Sequence, residues 1–126
     1  MKEVIFLIVS ILIVIISGFA EINYFEQSSQ YVLADINHSK NAIDNNNFEI
    51  AKEHIEQTKN TWDNIKKTWI IFIEHGEVDS IENDFLMFES FIKSNNKEMA
   101  IVYSNKLESN LKNIIEKHKL RVENIL

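Results

Sequence analysis

The 126-residue chain has no cysteine, no proline and only two glycines, Gly18 and Gly76. Without cysteine there is no disulfide, no thiolate zinc site and no lipid attachment of the lipoprotein type. Any exported part must therefore hold itself together by packing alone. Without proline, and with glycine at only two positions, long spans carry no helix breaker, which predicts an all-α fold. Basic charge is also scarce, at 13 Lys+Arg against 19 Asp+Glu for a net charge of −6. Lys2 and Glu3 cancel, so the acidic excess lies beyond the first twenty residues. Nucleic acid and anionic lipid both require a clustered basic face. The local basic clusters, Lys66-Lys67 and Lys117, Lys119, Arg121, read as solvated helix ends, so no nucleic-acid partner is expected.

Sites of chemistry are missing as well. No glycine-rich phosphate loop occurs, and no serine sits in a strand–turn–helix nucleophile setting. No EF-hand loop, His-x-x-x-His or Glu-x-x-His pair is present. Neither an enzymatic activity nor a cofactor is expected.

What the chain does have is an apolar start. Val4 to Ala20 contains no charged residue, and Ser10 is the only polar residue before Ser17. A membrane-spanning helix needs roughly 17 to 25 such residues, and this run sits at the lower edge, extendable through Ile22. A cleaved signal peptide is the alternative, with Gly18-Phe19-Ala20 as the small-x-small cleavage site. The retained anchor is the preferred reading, because no proline separates the run from the helical pattern that follows. Lys2 lies before the run, whereas Glu21, Glu26 and Asp35 follow it against Lys40 alone. The positive-inside tendency then predicts a cytoplasmic amino terminus in the cell membrane, with residues 21–126 outside. The expected organisation is a membrane anchor over 1–20 and an extracytoplasmic four-helix domain over 21–126.

Four helical segments are legible by period. The first carries Ile22, Phe25, Ser29, Val32, Ile36, Ser39 and Ile43 at steps of three or four, continuous with the anchor. It ends at Asp44-Asn45-Asn46-Asn47, where Asn46 with Glu49 has capping-box spacing. The second shows Ala51, Ile55, Thr58, Trp62, Ile65, Trp69 and Phe72 as a heptad stripe, read as core rather than ligand groove. Trp69-Ile70-Ile71-Phe72-Ile73 is apolar all round and is expected to be buried on more than one side or to lie under the next turn, and Gly76 to supply the break. The third carries Val78, Ile81, Phe85, Phe88 and Ile92 and ends at Ser94-Asn95-Asn96. The fourth carries Ala100, Tyr103, Leu107, Leu111 and Ile114, with the tail Leu120, Val122, Ile125 and Leu126 expected to pack back on the bundle.

A shift of 49 residues lays Asn46-Asn47-x-Glu49-Ile50-Ala51 on Asn95-Asn96-x-Glu98-Met99-Ala100. It also carries Val32, Ile36 and Ile43 onto Ile81, Phe85 and Ile92, and Thr58, Trp62 and Ile65 onto Leu107, Leu111 and Ile114. Two copies of a helical hairpin would produce this recurrence. An asparagine-rich chain with heptad patterning would produce part of it too. Either way the predicted architecture is an amino-terminal transmembrane helix running into a small antiparallel four-helix bundle of two hairpins.

The candidate ligand cluster is Glu74-His75-Gly76-Glu77-Val78-Asp79, in which His75, Glu77 and Asp79 offer one imidazole and carboxylates to a cation. The same acids suit the start of the third helix, where they oppose its dipole. His38, His54 and His118 lie among polar residues and read as surface.

The single apolar start, the segment Asn45-Asn46-Asn47-Phe48-Glu49-Ile50-Ala51-Lys52 leading to Trp62-x-x-Ile65-x-x-x-Trp69, the stretch Phe72-Ile73-Glu74-His75-Gly76-Glu77-Val78-Asp79-x-Ile81, and the closing Glu123-Asn124-Ile125-Leu126 together resemble the domain-of-unknown-function family four-three-six-three. The likeness spans essentially the whole chain. It implies a small membrane-anchored helical protein of Gram-positive anaerobic bacteria, with a neighbouring multi-span membrane protein as the natural partner. It transfers no activity, ligand or catalytic residue to any position.

The sequence therefore supports the expectation of a non-enzymatic interaction or accessory module for a membrane protein partner. Two alternatives stand beside it: a ligand, metal or pH sensor using His75 and its neighbouring carboxylates, and a self-associating structural element built on the Ala51–Phe72 stripe. Oligomeric state is not readable from the residues. A four-helix sensory receptor is disfavoured, since signalling inward would need a second span.

Overall fold

The computed structural model describes residues 1–125. They form four helices: α1 Lys2–Asp44, α2 Phe48–Phe72, α3 His75–Lys93 and α4 Lys97–Ile125. Each helix packs on its two neighbours in a ring ordered α1, α2, α3, α4, with the α1–α2, α2–α3, α3–α4 and α4–α1 faces all in contact. Short connections between successive helices impose the up-down-up-down course.

α1 is the longest element at 43 residues and runs unbroken from the apolar start into the bundle. Its buried residues begin only at Phe25 and continue as Ser28, Ser29, Val32, Leu33, Ile36, Ser39 and Ile43. This stripe is wider than a single a/d seam because α1 faces both α2 and α4. The other helices contribute the expected Ala51, Ile55, Thr58, Trp62 and Trp69; Val78, Ile81, Phe85, Phe88 and Ile92; and Ala100, Leu107, Leu111 and Ile114. Aromatic rings cluster toward one end. Phe25 meets Trp69 at 5.0 Å between ring centroids, Trp69 meets Trp62 at 5.4 Å, and Trp62 meets Phe85 at 5.9 Å. Edge-on arrangements such as the first two favour aromatic quadrupoles.

The two asparagine turns have the same construction. In the first, Asn46 adopts φ 58°, and its N–H donates to the Ile43 carbonyl at 2.9 Å while the Asn47 N–H donates to the Ala42 carbonyl at 2.8 Å. In the second, Asn95 adopts φ 56°, its N–H donates to the Ile92 carbonyl at 3.1 Å, and the Asn96 N–H donates to the Phe91 carbonyl at 2.9 Å. Both are Schellman closures with asparagine in the left-handed position. The next residue then caps the following helix: Asn47 Oδ1 accepts from the Ile50 N–H at 3.3 Å, and Asn96 Oδ1 from the Met99 N–H at 3.2 Å. The capping-box assignment to Asn46 is corrected by one position. Asn46 terminates α1, and Asn47 starts α2.

The 49-residue correspondence holds through the core. The pairs Ser29/Val78, Ser39/Phe88, Ile55/Ser104, Thr58/Leu107, Trp62/Leu111, Trp69/His118 and Ile73/Val122 are all buried at both members. At several of these positions a small residue in one copy corresponds to a large one in the other, as with Ser39 and Phe88 or Ile55 and Ser104.

Several local expectations are corrected. Gly76 is not the break, since it lies in the first turn of α3 and has no positive φ. The chain turns through extended Ile73 (φ −106°, ψ 145°) and Glu74 (φ −60°, ψ 138°) instead. Tyr103 sits at the rim against Phe91, and Ser104 takes the buried position because α4 is rotated slightly from the pure apolar stripe. Ile65 is only half-buried, and Ile70, Ile71 and Phe72 are exposed on one side because α2 ends there with no helix packed over it. The tail packs through Val122 alone, with Leu120 and Ile125 facing outward; Leu126 lies outside the described residues.

Candidate functional site

The predicted cluster at the start of α3 is not drawn together. His75 and Asp79 are exposed, and Glu77 pairs instead with Lys117 of α4 at 2.7 Å. That hydrogen bond, with further attraction from Glu77 and Glu74, holds the Lys117 ammonium above its usual range. Glu82, one turn on, is similarly taken by Lys66 of α2, whose ammonium is raised chiefly by that hydrogen bond. Among the described residues no group of three or more His, Cys, Asp or Glu is arranged to hold a metal ion. The acids serve as cross-helix ties at the start of α3, and Glu77 also lies in the first turn, where a negative charge opposes the helix dipole. The basic residues read as helix ends do the same work, as with Lys119 and Glu26 at 3.4 Å.

The more unusual titratable group is one that local sequence conceals. His118 is buried, contrary to its reading as a surface residue. Its ring lies 4.5 Å from that of Phe25, and its Nε2 is 2.7 Å from Glu21 Oε1. The contact has ion-pair distance without a hydrogen bond, and Nδ1 has no partner. A legible signal existed: His118 falls four residues after Ile114 and four before Val122, in phase with the α4 core, and the 49-residue shift lays it on Trp69. Trp69 itself is satisfied, donating from Nε1 to Ser28 Oγ at 3.1 Å, while Ser28 donates onward to the Phe25 carbonyl at 3.2 Å. Phe25, Trp69 and His118 thus form one aromatic-lined plug where α1, α2 and α4 meet, next to the apolar start.

His38 and His54, expected at the surface, lie side by side across α1 and α2 with centroids 5.5 Å apart. His38 is exposed and His54 half-buried. Elsewhere, Asp84 is fully buried between α3 and α4, contacted by Lys106 at 3.1 Å and by the Asn110 amide. These polar contacts tie α3 to α4.

The apolar half of α1 is the strongest functional feature. It projects beyond the bundle with its large side chains open on all sides, and α1 is the one described helix long and apolar enough to cross a membrane. Its two hydroxyls are satisfied within the helix: Ser10 Oγ donates to the Phe6 carbonyl and Ser17 Oγ to the Ile13 carbonyl, both at 2.8 Å. Hydrocarbon requires this, because it offers no alternative partner. A shallow groove between α1 and α4 adjoins this segment, with Ile22 and Val122 as its apolar floor and Glu26 and Lys119 at its rim.

A family model described as Domain of unknown function (DUF4363) matches residues 19–125. Neither a curated protein nor a solved structure matches the chain.

Proposed function

The chain belongs to the DUF4363 family, and from the continuous α1 we propose that it is a single-pass membrane protein carrying a non-enzymatic accessory module for a membrane protein partner. The supporting observation is the unbroken run of α1 from an exposed apolar segment into a closed, ion-paired bundle. Residues 4–20 cross the cell membrane, Lys2 stays in the cytoplasm, and the acidic bundle stands outside. A rigid helix joining span to bundle couples the position of one to the other, which suits a protein that holds or braces a neighbour in the same bilayer.

The test is crosslinking in native membranes through single cysteines introduced on the exposed α1–α4 face further from the span, for example at Gln30 or Glu116, in the otherwise cysteine-free chain. Recovery of one specific multi-span protein at these positions, and not at Leu86 on α3, is expected. Crosslinks that recover only lipid-sized adducts or a random set of proteins overturn the reading.

A further inference from the structure

The end of the bundle nearest the apolar start carries an unpartnered ring of large apolar side chains. Phe19 on α1, Ile71 and Phe72 on α2, and Leu120 and Ile125 on α4 all point outward, with Ile71 71% and Ile125 74% exposed. They come from three helices and lie within about two helical turns of one another along the bundle. Phe72 is 6.0 Å from Phe25, His118 just before Leu120 is 4.5 Å from the same ring, and Val122 and Glu123 line one groove with Phe19 and Ile22. Elsewhere on the bundle, exposed apolar side chains such as Leu86 and Val102 are not gathered in this way. Exposing isoleucine and phenylalanine together at one end is unfavourable in water, and such patches mark contact surfaces.

We infer that this ring is seated in the lipid of the same bilayer that α1 crosses, so that the bundle stands on the membrane rather than being held away from it on a stalk. The inference rests on the proposed membrane span, and the geometry supplies the rest. With the hydrocarbon boundary at Ala20, the level of Ile22 to Phe25 lies about 3–8 Å further along α1 at 1.5 Å per residue. The headgroup layer on each side of the core is roughly 5–7 Å deep. Phe72 and Leu120 therefore fall at headgroup depth, and Ile125, one turn closer to the span than Val122, falls at the acyl boundary. Interfacial segments bury their apolar faces at this depth. Because α1 is one continuous helix, the ring and the span cannot be accommodated separately; inserting one sets the depth of the other. The contact is apolar, so it needs no anionic lipid, in keeping with the net charge of −6.

The absence of native cysteine gives a direct test. The full chain is reconstituted in phosphatidylcholine vesicles with a single environment-sensitive fluorophore at Ile71→Cys, Phe72→Cys or Ile125→Cys. Leu86→Cys and Val102→Cys serve as bundle controls and Ile8→Cys as the reporter of the span. All these side chains are surface positions, and retention of helical circular dichroism confirms the fold of each variant. The inference predicts that the ring labels are quenched by nitroxide carried at headgroup depth and are several-fold less accessible to an aqueous quencher than labels at Leu86 and Val102. Ile8 should be quenched by nitroxide placed deep in the acyl chain. If Ile8 is lipid-quenched while the ring labels are as open to water as Leu86, the seating is wrong and the span stands. If ring labels are shielded from both quenchers, protein covers them and the inference fails in favour of self-association. If Ile8 itself is open to water, the span fails and the seating with it.

Discussion

Replacing asparagine in the two helix turns gives a sharp test of the hairpin repeat. Asn46 and Asn95 hold φ 58° and 56°, where a residue with a Cβ pays about 1–2 kcal/mol and asparagine recovers part of that through local hydrogen bonding. Asn46→Ala should therefore cost about 1 kcal/mol, and Asn46→Gly should be neutral or slightly stabilising because glycine enters this region freely. Asn47→Ala removes an N-cap, a loss of about 1 kcal/mol, and its cap bond at 3.3 Å to Ile50 places it no higher. The double alanine variant should thus lose about 2 kcal/mol. In a domain of this size that is a fall of roughly 10 °C in Tm. Thermal unfolding of the full chain in detergent, followed by circular dichroism, reads these values. Asn95→Ala and Asn96→Ala should mirror them, with one asymmetry: Lys97 Nζ reaches across to the Asp44 carbonyl at 3.0 Å and Asn46 Oδ1 at 3.3 Å, so Asn46→Ala also loses a tie that Asn95→Ala does not. Equal losses for Asn46→Gly and Asn46→Ala would refute the backbone account. Losses at Asn95 unlike those at Asn46 by more than that tie would refute the equivalence of the turns.

Other consequences follow from burial and charge. Ser39 Oγ is buried without a partner, so Ser39→Ala should be neutral or stabilising by up to about 1 kcal/mol, whereas Ser28→Ala strands the Trp69 N–H and should cost about 1–3 kcal/mol in the same unfolding assay. Trp69→Ala should cost about 3–5 kcal/mol as a core cavity, while Leu86→Ala on the exposed face of α3 should stay within about 0.5 kcal/mol. The Glu89 carboxyl is held below its ordinary value of 4.5, first by a hydrogen bond from Lys93 and then by attraction to Lys93 and Lys59, with burial opposing. A lowered folded value means that its stabilisation is present above pH 4.5 and is lost as pH falls through the folded value. Glu89→Gln should flatten the pH dependence of Tm in that acidic window and leave the alkaline side unchanged.

Much of the fold was legible because period and punctuation agreed. Steps of three and four placed nearly every core residue of α2 and α3, and the two Asn-Asn pairs marked both tight turns. What failed did so for identifiable reasons. Gly76 looked like a breaker because glycine usually is one, but an extended Ile73-Glu74 turn needs no positive φ. His118 looked exposed because Lys117 and Lys119 flank it, and flanking residues on a helix point elsewhere. Ser104 and Asp84 were missed since small or charged residues give no apolar signal, even where neighbouring helices bury them. The run from Trp69 to Ile73 was expected to be buried on more than one side or to lie under the next turn, yet Ile70, Ile71 and Phe72 face outward. Periodicity cannot tell a residue covered by protein from one facing lipid. The candidate cluster at His75 was defined by nearness in sequence, and the fold gave Glu77 and Glu82 to lysines on other helices.

Intact mass and topology of the protein recovered from cells bear most directly on the proposed membrane span. Membranes should yield the full chain near 14.8 kDa, resistant to carbonate extraction, with Val102→Cys labelled by an impermeant maleimide added outside intact cells and Glu3→Cys, which keeps Lys2, labelled only after the membrane is opened. A soluble product beginning at Glu21, or labelling of Val102→Cys only from the cytoplasmic side, would contradict the account.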